Sequence, residues 1–520
     1  MRSEEILDAL AELDAAFPTH RWTIDGINVL PLFRYEVYNN NHALYRRSPG
    51  ERRADKLEAP KRVGRALRSK AAAALRLGRA RWSDRAASAP ISRADALLFS
   101  DGVSFSLLHG RYYDRFCDPI REQLERRGLR TLLATPLEGY AVPRHSPSLF
   151  VQPALDRAKI RGLFESRLRR PAIELPEYER ACSALVERHP GMSVPATERL
   201  TRTSIYIQVF ADVYTMLLRR VRPRVVYLVC YYGSERFAMQ LAARRLGVPT
   251  VDVQHGYSGE LHWAYARWMN VPPGGFELLP RYFWCWSEEE RRTIASWAER
   301  SGGAHRARVG GNLFARMWRD DDAEIVKRYD REVRGVVDAN RPRVPVLYAA
   351  NGLETEAQLR ALAEVIRATR DELFWLVRLH PCRITDRARL ETILRESGTA
   401  FDVERATSLP LYALLRNVEL HVTESSTTVI EASEFGVPSV LWGALEAPSF
   451  APYVASGWLR VAEDAGAVAD ELRRQGKRRD ELRRSLAAGP RASDLDELLA
   501  LAEREAGRPP EERDGDVQHR

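Results

Sequence analysis

Paired cysteines are missing from this chain. The five present, Cys117, Cys182, Cys230, Cys285 and Cys382, are scattered, odd in number and never spaced as Cys-x-x-Cys. That argues against both a disulfide framework and a zinc cluster and fits a reducing cytoplasm. Long apolar runs are missing too. The longest, such as residues 225–232, have the length of buried strands, and the opening Met-Arg-Ser-Glu-Glu lacks the apolar block of a secretory leader. Neither a membrane span nor a leader is therefore expected, and the chain reads as cytoplasmic. Nucleic-acid signatures are also lacking: basic residues have little aromatic interleaving, and no finger or helix-turn-helix spacing is visible, so no nucleic-acid partner is expected.

What is present points to a large globular protein. With 520 residues and 45% apolar content, the chain can bury more than one core. Part of the net charge of +9 is concentrated between residues 61 and 85. Read as a helix, Leu67, Ala71, Ala74 and Leu75 form a weak apolar stripe flanked by Arg62, Arg65, Arg68, Lys70, Arg76 and Arg79. This is the pattern of a peripheral contact with an anionic membrane, at the inner face of the cell membrane; a solvated linker explains the same composition. Residues 1–50 mix polar side chains with Trp22, Phe33, Tyr35, Tyr38 and Tyr45 and read as a small lid or docking element.

From residue 94 onward, strand and helix patterns alternate. Strands are expected at 94–100, 129–133, 224–232, 250–254 and 281–286, with helices at 118–127, 201–220 and 234–246. A charged stretch at 320–341 reads as the connection between halves. The second half repeats the grammar, with strands at 346–350, 373–379, 418–422 and 439–441 and helices at 354–367, 409–416 and 427–435. Such alternation predicts an α/β chain of two Rossmann-like domains whose parallel sheets face a cleft. Expected boundaries are 1–90 for an N-terminal appendage and basic linker, 91–320 and 340–485 for the two domains, and 486–520 for a terminal helix and disordered tail.

The most informative segment runs from Val418 to Val440, with Ser425-Ser426-Thr427 at a predicted strand-to-helix turn. Hydroxyls and unpaired N–H groups at a helix start suit a phosphate, although serine and threonine also serve as plain helix caps. One turn on, the Glu431 carboxylate can accept hydrogen bonds from ribose hydroxyls, and Gly436 before Val437-Pro438 is placed to end the helix in the left-handed conformation. A second segment, Phe374-Trp-Leu-Val-Arg-Leu-His380-Pro381, presents His380 at the end of a buried strand. Its imidazole can donate to a phosphoryl oxygen or supply a proton to a leaving phosphate. Arg378 lies two residues earlier, on the same strand face, and is a candidate for neutralising that phosphate. Asn351-Gly352 follows a predicted strand and would lie near the same phosphates, or form an ordinary turn.

Strand-His-Pro, then Ser-Ser-Thr-Thr-x-x-Glu-Ala-x-x-x-Gly-x-Pro about forty-five residues later, resembles the nucleotide-binding half of bacterial capsule and surface-carbohydrate glycosyltransferases. Polysialyltransferases and Kdo transferases are among them, and teichoic-acid polymerases are similar in outline. The resemblance implies a GT-B fold, a nucleotide-sugar donor with cytidine monophosphate as the nucleotide part, and a saccharide or lipid-linked acceptor. It carries His380 and Pro381 to the first donor motif and Ser425, Ser426 and Thr427 to the second. The acidic pair before glycine that marks the base in polysialyltransferases is represented only by Ser100-Asp101-Gly102. The stretch Gln254-His255-Gly256 resembles a strand-end segment of several such enzymes, with His255 as acceptor contact or base, or a histidine that simply bonds a neighbouring loop. Asp101 and Glu235 compete for the role of base, each equally suited to capping a helix. Asp-x-Asp spacings occur only at Asp320/Asp322, Asp494/Asp496 and Asp514/Asp516, in the connector and tail. Metal-independent transfer without a cofactor is therefore expected. A sugar-nucleotide 2-epimerase and a non-catalytic nucleotide-binding scaffold of a polysaccharide assembly complex are the alternatives.

Overall fold

The computed structural model describes residues 1–42, 91–136, 143–352, 354–380, 387–485 and 494–503. The basic stretch 61–85, Pro381 and the tail beyond residue 503 lie outside the described residues. Runs such as Val225–Val229, buried at every position, have no polar face to offer water and so become interior strands of parallel sheets. In the N-terminal half these are β1 (Ala96–Phe99), β2 (Thr131–Thr135), β3 (Ser148–Phe150), β4 (Val225–Val229), β5 (Thr250–Val253), β6 (Tyr282–Cys285) and β7 (Arg306–Val309). They pair in parallel in the order β7-β6-β5-β4-β1-β2-β3. The C-terminal half follows with β8 (Val344–Ala349), β9 (Leu373–Arg378), β10 (Phe401–Asp402), β11 (Leu420–Thr423), β12 (Ser439–Trp442) and β13 (Leu459–Ala462). Their order is β10-β9-β8-β11-β12-β13, again parallel throughout.

Both sheets thus reverse direction of winding once, between β1 and β4 and between β8 and β11. These are two Rossmann-like domains of the GT-B type, and each reversal opens a crevice at the carboxyl ends of its strands. The halves meet there. A methyl group built on Gly256, just past β5, would lie 3.4 Å from the Thr427 methyl, just past β11. Phe116, Val253 and Trp286 of the first half share an apolar cluster with Val429, Ile430 and Phe450 of the second.

Residues 1–42 are no lid. Helices Ser3–Ala16 and Leu30–Asn41 bury Ile6, Leu7, Leu10, Leu32 and Phe33 in the same cluster as Leu97, Phe237 and Trp268. Its described aromatics belong to the core: Trp22 is fully buried, edge-on to Phe33 and Tyr178, with its Nε1 donating to the Pro176 carbonyl at 2.9 Å, and Tyr35 and Tyr38 pack against the same cluster, while Tyr45 lies outside the described residues. The charged connector is also more than a link. Helix Glu324–Asp338 turns Val326, Tyr329, Val333, Val336 and Val337 inward, a 3.6-residue stripe that its many charges conceal. Residues 494–503, expected with the tail, return to the first half. Val309 N donates to Asp494 Oδ2 at 2.8 Å, and the Tyr227 hydroxyl to the Leu498 carbonyl at 2.6 Å. Gly436 follows helix Thr428–Glu434 with φ of 71°, and Val437 N bonds back to the Ala432 carbonyl at 2.9 Å, the left-handed ending its sequence implies. No helix among the described residues is long and apolar enough to cross a membrane.

Candidate functional site

At the reversal of the second sheet, β8 and β11 part, and the residues that leave their ends cross the gap. Asn351 Nδ2 donates to Ser425 Oγ at 2.9 Å. Below it, Thr423 Oγ1 donates to the Ala349 carbonyl at 2.8 Å and accepts from Ser426 N at 3.2 Å, so the turn is tied to both strands. Ser426 Oγ engages the Thr428 hydroxyl and accepts Thr428 N at 3.2 Å, whereas Thr427, the residue at the helix start, makes no side-chain cap. Of the three hydroxyl residues, Ser426 is thus turned inward as a structural cap, and Ser425 faces the crevice with Asn351. Two carboxylates stand at the rim. Glu354 accepts Asn351 N at 2.5 Å, and Glu424 accepts from Gln358 Nε2 at 2.5 Å and from the Tyr348 hydroxyl at 3.3 Å. Burial, joined by the charge of Glu354, pushes Glu424 up to about 7.

His380 leaves β9 beside this crevice. Burial lowers its pKa; Glu354 opposes the shift, while the cations of Arg115 and Arg378 reinforce it. It therefore stands neutral, a hydrogen-bond donor through one ring nitrogen. Arg378 is held elsewhere than its strand position implies: Nη1 donates to the carbonyls of Ala406 at 2.7 Å and Leu409 at 2.6 Å, fastening the loop that folds over the strand end. Glu431 is buried on the seam between the halves. It accepts the Tyr412 hydroxyl at 2.8 Å, with Asn312 Nδ2 donating to that hydroxyl at 3.1 Å and Arg115 Nη1 3.9 Å from the carboxylate.

Arg115 is the residue that sequence reasoning passes over. It follows the hairpin Phe105–Leu108 and Arg111–Asp114. Among the described residues its guanidinium donates no hydrogen bond; Nε is buried without a partner, and the nearest charge is Glu431. A half-buried arginine with its fork of donors unspent, facing His380 from the opposite domain, suits an anion. Nothing local marks it among 80 basic residues. Its position comes from buried carboxylates. Asp114 accepts Ser100 Oγ at 2.5 Å, Cys117 N at 2.8 Å and Phe116 N at 3.1 Å, so its oxygens fix the turn that follows Arg115 and tie it to the end of β1. Burial, with the charges of Asp101 and Asp118, pushes Asp114 up to about 6.

The three candidates for base in the first half are differently placed. Asp101 closes its own loop: Oδ1 accepts Val103 N and Ser104 N, both at 2.9 Å, and Oδ2 accepts the Ser104 hydroxyl. Glu235 turns to Lys159, at 3.2 Å. His255 lies at the contact between halves, with Nε2 3.3 Å from the Tyr232 hydroxyl. Burial holds its pKa down to about 4 against the pull of the Asp101 charge, so at neutral pH the ring is neutral.

No family model matches the chain, and no curated protein matches it in sequence. Among solved structures, it is similar to UDP-GlcNAc 2-epimerase from Neisseria meningitidis bound to UDP-GlcNAc, at 12% identity and a TM-score of 0.48 over 78% of this chain and 98% of that one. A variant of the wall teichoic acid polymerase TagF soaked with CDPG is similar at 10% identity and 0.44, over 79% and 89%. MurG from Acinetobacter baumannii is similar at 9% identity and 0.41, over 78% and 98%.

Beneath the first-half site, Asp252 on β5 is 1% exposed and accepts the Tyr265 hydroxyl at 2.9 Å. Burial pushes it up to about 8. The folded protein therefore retains a proton that the unfolded chain releases near pH 4, and stability falls as pH rises toward 8. Five histidines with pKa values held down by burial, His255, His262, His305, His380 and His421, act in the opposite sense, but only below about pH 6.5. Between pH 6.5 and 8 the wild type should lose stability, and Asp252→Asn should flatten that slope by about 1.4 kcal/mol per pH unit. Urea melts across this range check it; an unchanged slope in the variant would show that Asp252 is ionised throughout.

Proposed function

We propose that the chain is a glycosyltransferase that moves a sugar from a nucleotide-activated donor, with CMP-linked donors among the candidates, to a growing surface or capsular polysaccharide or glycolipid acceptor. Supporting this reading most directly is the meeting of Asn351, Ser425 and His380 at the strand reversal of the second sheet with Arg115, an arginine from the other half whose guanidinium donates no hydrogen bond among the described residues. Ligands of doubly wound sheets lie at such reversals, and the groups gathered here are donors to phosphate oxygens. The donor phosphates rest between Arg115, His380, Asn351 and Ser425. His255, across the seam, takes the proton of the acceptor hydroxyl as its oxygen bonds to the anomeric carbon. The bond from that carbon to the phosphate breaks, and the charge that develops on the departing oxygen meets Arg115 and the His380 N–H. Asp101 is left as an electrostatic neighbour of His255, and Glu431 as the acceptor of Tyr412 beside Arg115.

Thermal stabilisation by CMP, CDP, UDP and GDP tests the donor site. One of them should stabilise the wild type by about 2.7 kcal/mol at a hundredfold excess over its Kd. Asn351→Ala and His380→Ala should abolish most of that gain. No shift from any nucleotide at millimolar concentration would remove the donor-site assignment and favour a scaffold.

One observation favours the 2-epimerase reading. Glu354 and Glu424 are paired carboxylates at the crevice, one pushed up to about 7, and such a pair can divide acid and base work around one sugar. Deuterium uptake into the sugar of a sugar nucleotide incubated without acceptor would establish it.

A further inference from the structure

Helix Gln152–Leu168 carries two apolar faces, and among the described residues only one is buried. Leu155, Ala158 and Gly162 face inward. A methyl group on Gly162 would stand 2.6 Å from the Tyr206 ring, so the helix seats closely on Thr197–Val221. At about 100° per residue, the opposite side presents Ile160, Leu163, Phe164 and Leu168. They are 61%, 44%, 58% and 79% exposed. Single exposed apolar side chains are ordinary, but four on one helical face mark a surface that something covers. Met216, 63% exposed, extends it: Arg161 donates to Asp212 at 2.6 Å, and Met216 stands one turn beyond Asp212.

The charge around this face has one sign. Between residues 152 and 170 there are six basic side chains against two acidic ones. Both acids are engaged, Asp156 with Lys159 at 3.8 Å and Glu165 with Arg161 at 2.5 Å. Arg157 and Arg167, on the outward face, meet no carboxylate among the described residues. We propose that this face docks on an anionic lipid bilayer, with helix Gln152–Leu168 lying in the plane of the interface. Phe164, Leu168, Ile160 and Leu163 enter the boundary between headgroups and acyl chains, and Arg157 and Arg167 remain at the level of the lipid phosphates. A two-fold contact with a second copy would bring the same arginines against each other, so the lipid surface is the occupant that the charge fits. This inference does not depend on the catalytic reading.

Cosedimentation of the full chain with vesicles of phosphatidylcholine containing about 30% phosphatidylglycerol, against phosphatidylcholine alone, tests it. Binding is expected to the anionic vesicles only. The double variant Phe164→Glu/Leu168→Glu should reduce it at least about tenfold with its thermal midpoint unchanged, since both side chains already face solvent. Arg157→Gln should weaken binding about fivefold. Absence of binding by the wild type, or equal binding by the glutamate variant, overturns the proposal. So does a concentration-dependent dimer that the glutamate variant loses while vesicle binding is absent.

Discussion

Replacing Arg115 by methionine should weaken binding of the stabilising nucleotide about 10- to 100-fold and lower turnover by about two to three orders of magnitude. The folded protein itself should change by no more than about 1 kcal/mol. The two halves of this expectation share one cause. A guanidinium that makes no hydrogen bond among the described residues contributes little to folding, and its donors are left for a ligand. Each charge-assisted bond to a phosphate oxygen contributes about 1.5–3 kcal/mol, enough to account for the loss in affinity. Glu431, left without its cation, is already shifted toward its neutral form by burial and keeps the Tyr412 hydroxyl at 2.8 Å. Arg115→Lys should recover part of the charge but not the fork, and so restore affinity incompletely. Calorimetric titration of the three proteins decides it; equal Kd values in wild type and methionine variant would place the phosphates elsewhere.

Arg34→Met should have the opposite profile, with a large loss of stability and no direct effect on ligand contacts. Arg34 is fully buried, and its guanidinium is spent on backbone carbonyls: Nε and Nη2 on Trp263 at 3.1 and 2.7 Å, Nη2 also on Ala266 at 2.6 Å, and Nη1 on Arg267 at 2.9 Å. It also lies over the Trp268 ring, 4.3 Å from its centroid. Methionine fills much of the volume and satisfies none of these oxygens. At about 1–3 kcal/mol for each orphaned buried carbonyl, three of them cost upward of 3 kcal/mol. Because Trp263 packs on Tyr232, which reaches His255, unravelling here should also blunt activity. Denaturant melts of the variant against Arg34→Lys check the size of the effect; a loss below 1 kcal/mol would mean that water replaces the guanidinium.

The elements themselves were legible because each is written locally. Val225–Val229 and Leu373–Val377 are continuous apolar runs that only a sheet covered on both faces can hold. Gly436-Val437-Pro438 states where a helix ends. His380 and Ser425 stood out as candidates for the same reason, since a side chain at a strand end or turn is placed by its immediate neighbours. Where local pattern misled, the missing information was a distant partner. Arg378 alternates onto the right strand face, but the carbonyls of Ala406 and Leu409 arrive from a loop about thirty residues later. Residues 1–42 read as an appendage because Arg34, Glu36 and Asn41 interrupt the apolar pattern, and these three are buried against groups supplied by other segments.

Sequence alone therefore determined the α/β class, the doubling of the Rossmann-like unit and the strand-end residues of the second half, since periodicity and turn chemistry act over a few residues. Tertiary structure alone decided which of the charged candidates are already engaged by other groups. Strand order brings Asn351 to Ser425, and the hairpin before Arg115 carries that guanidinium across the seam to Glu431 and His380. The physical reason is that a polar side chain's chemistry depends on which donors and acceptors have already been claimed. Those claims are made by residues far away in the chain, once the two sheets have closed on each other.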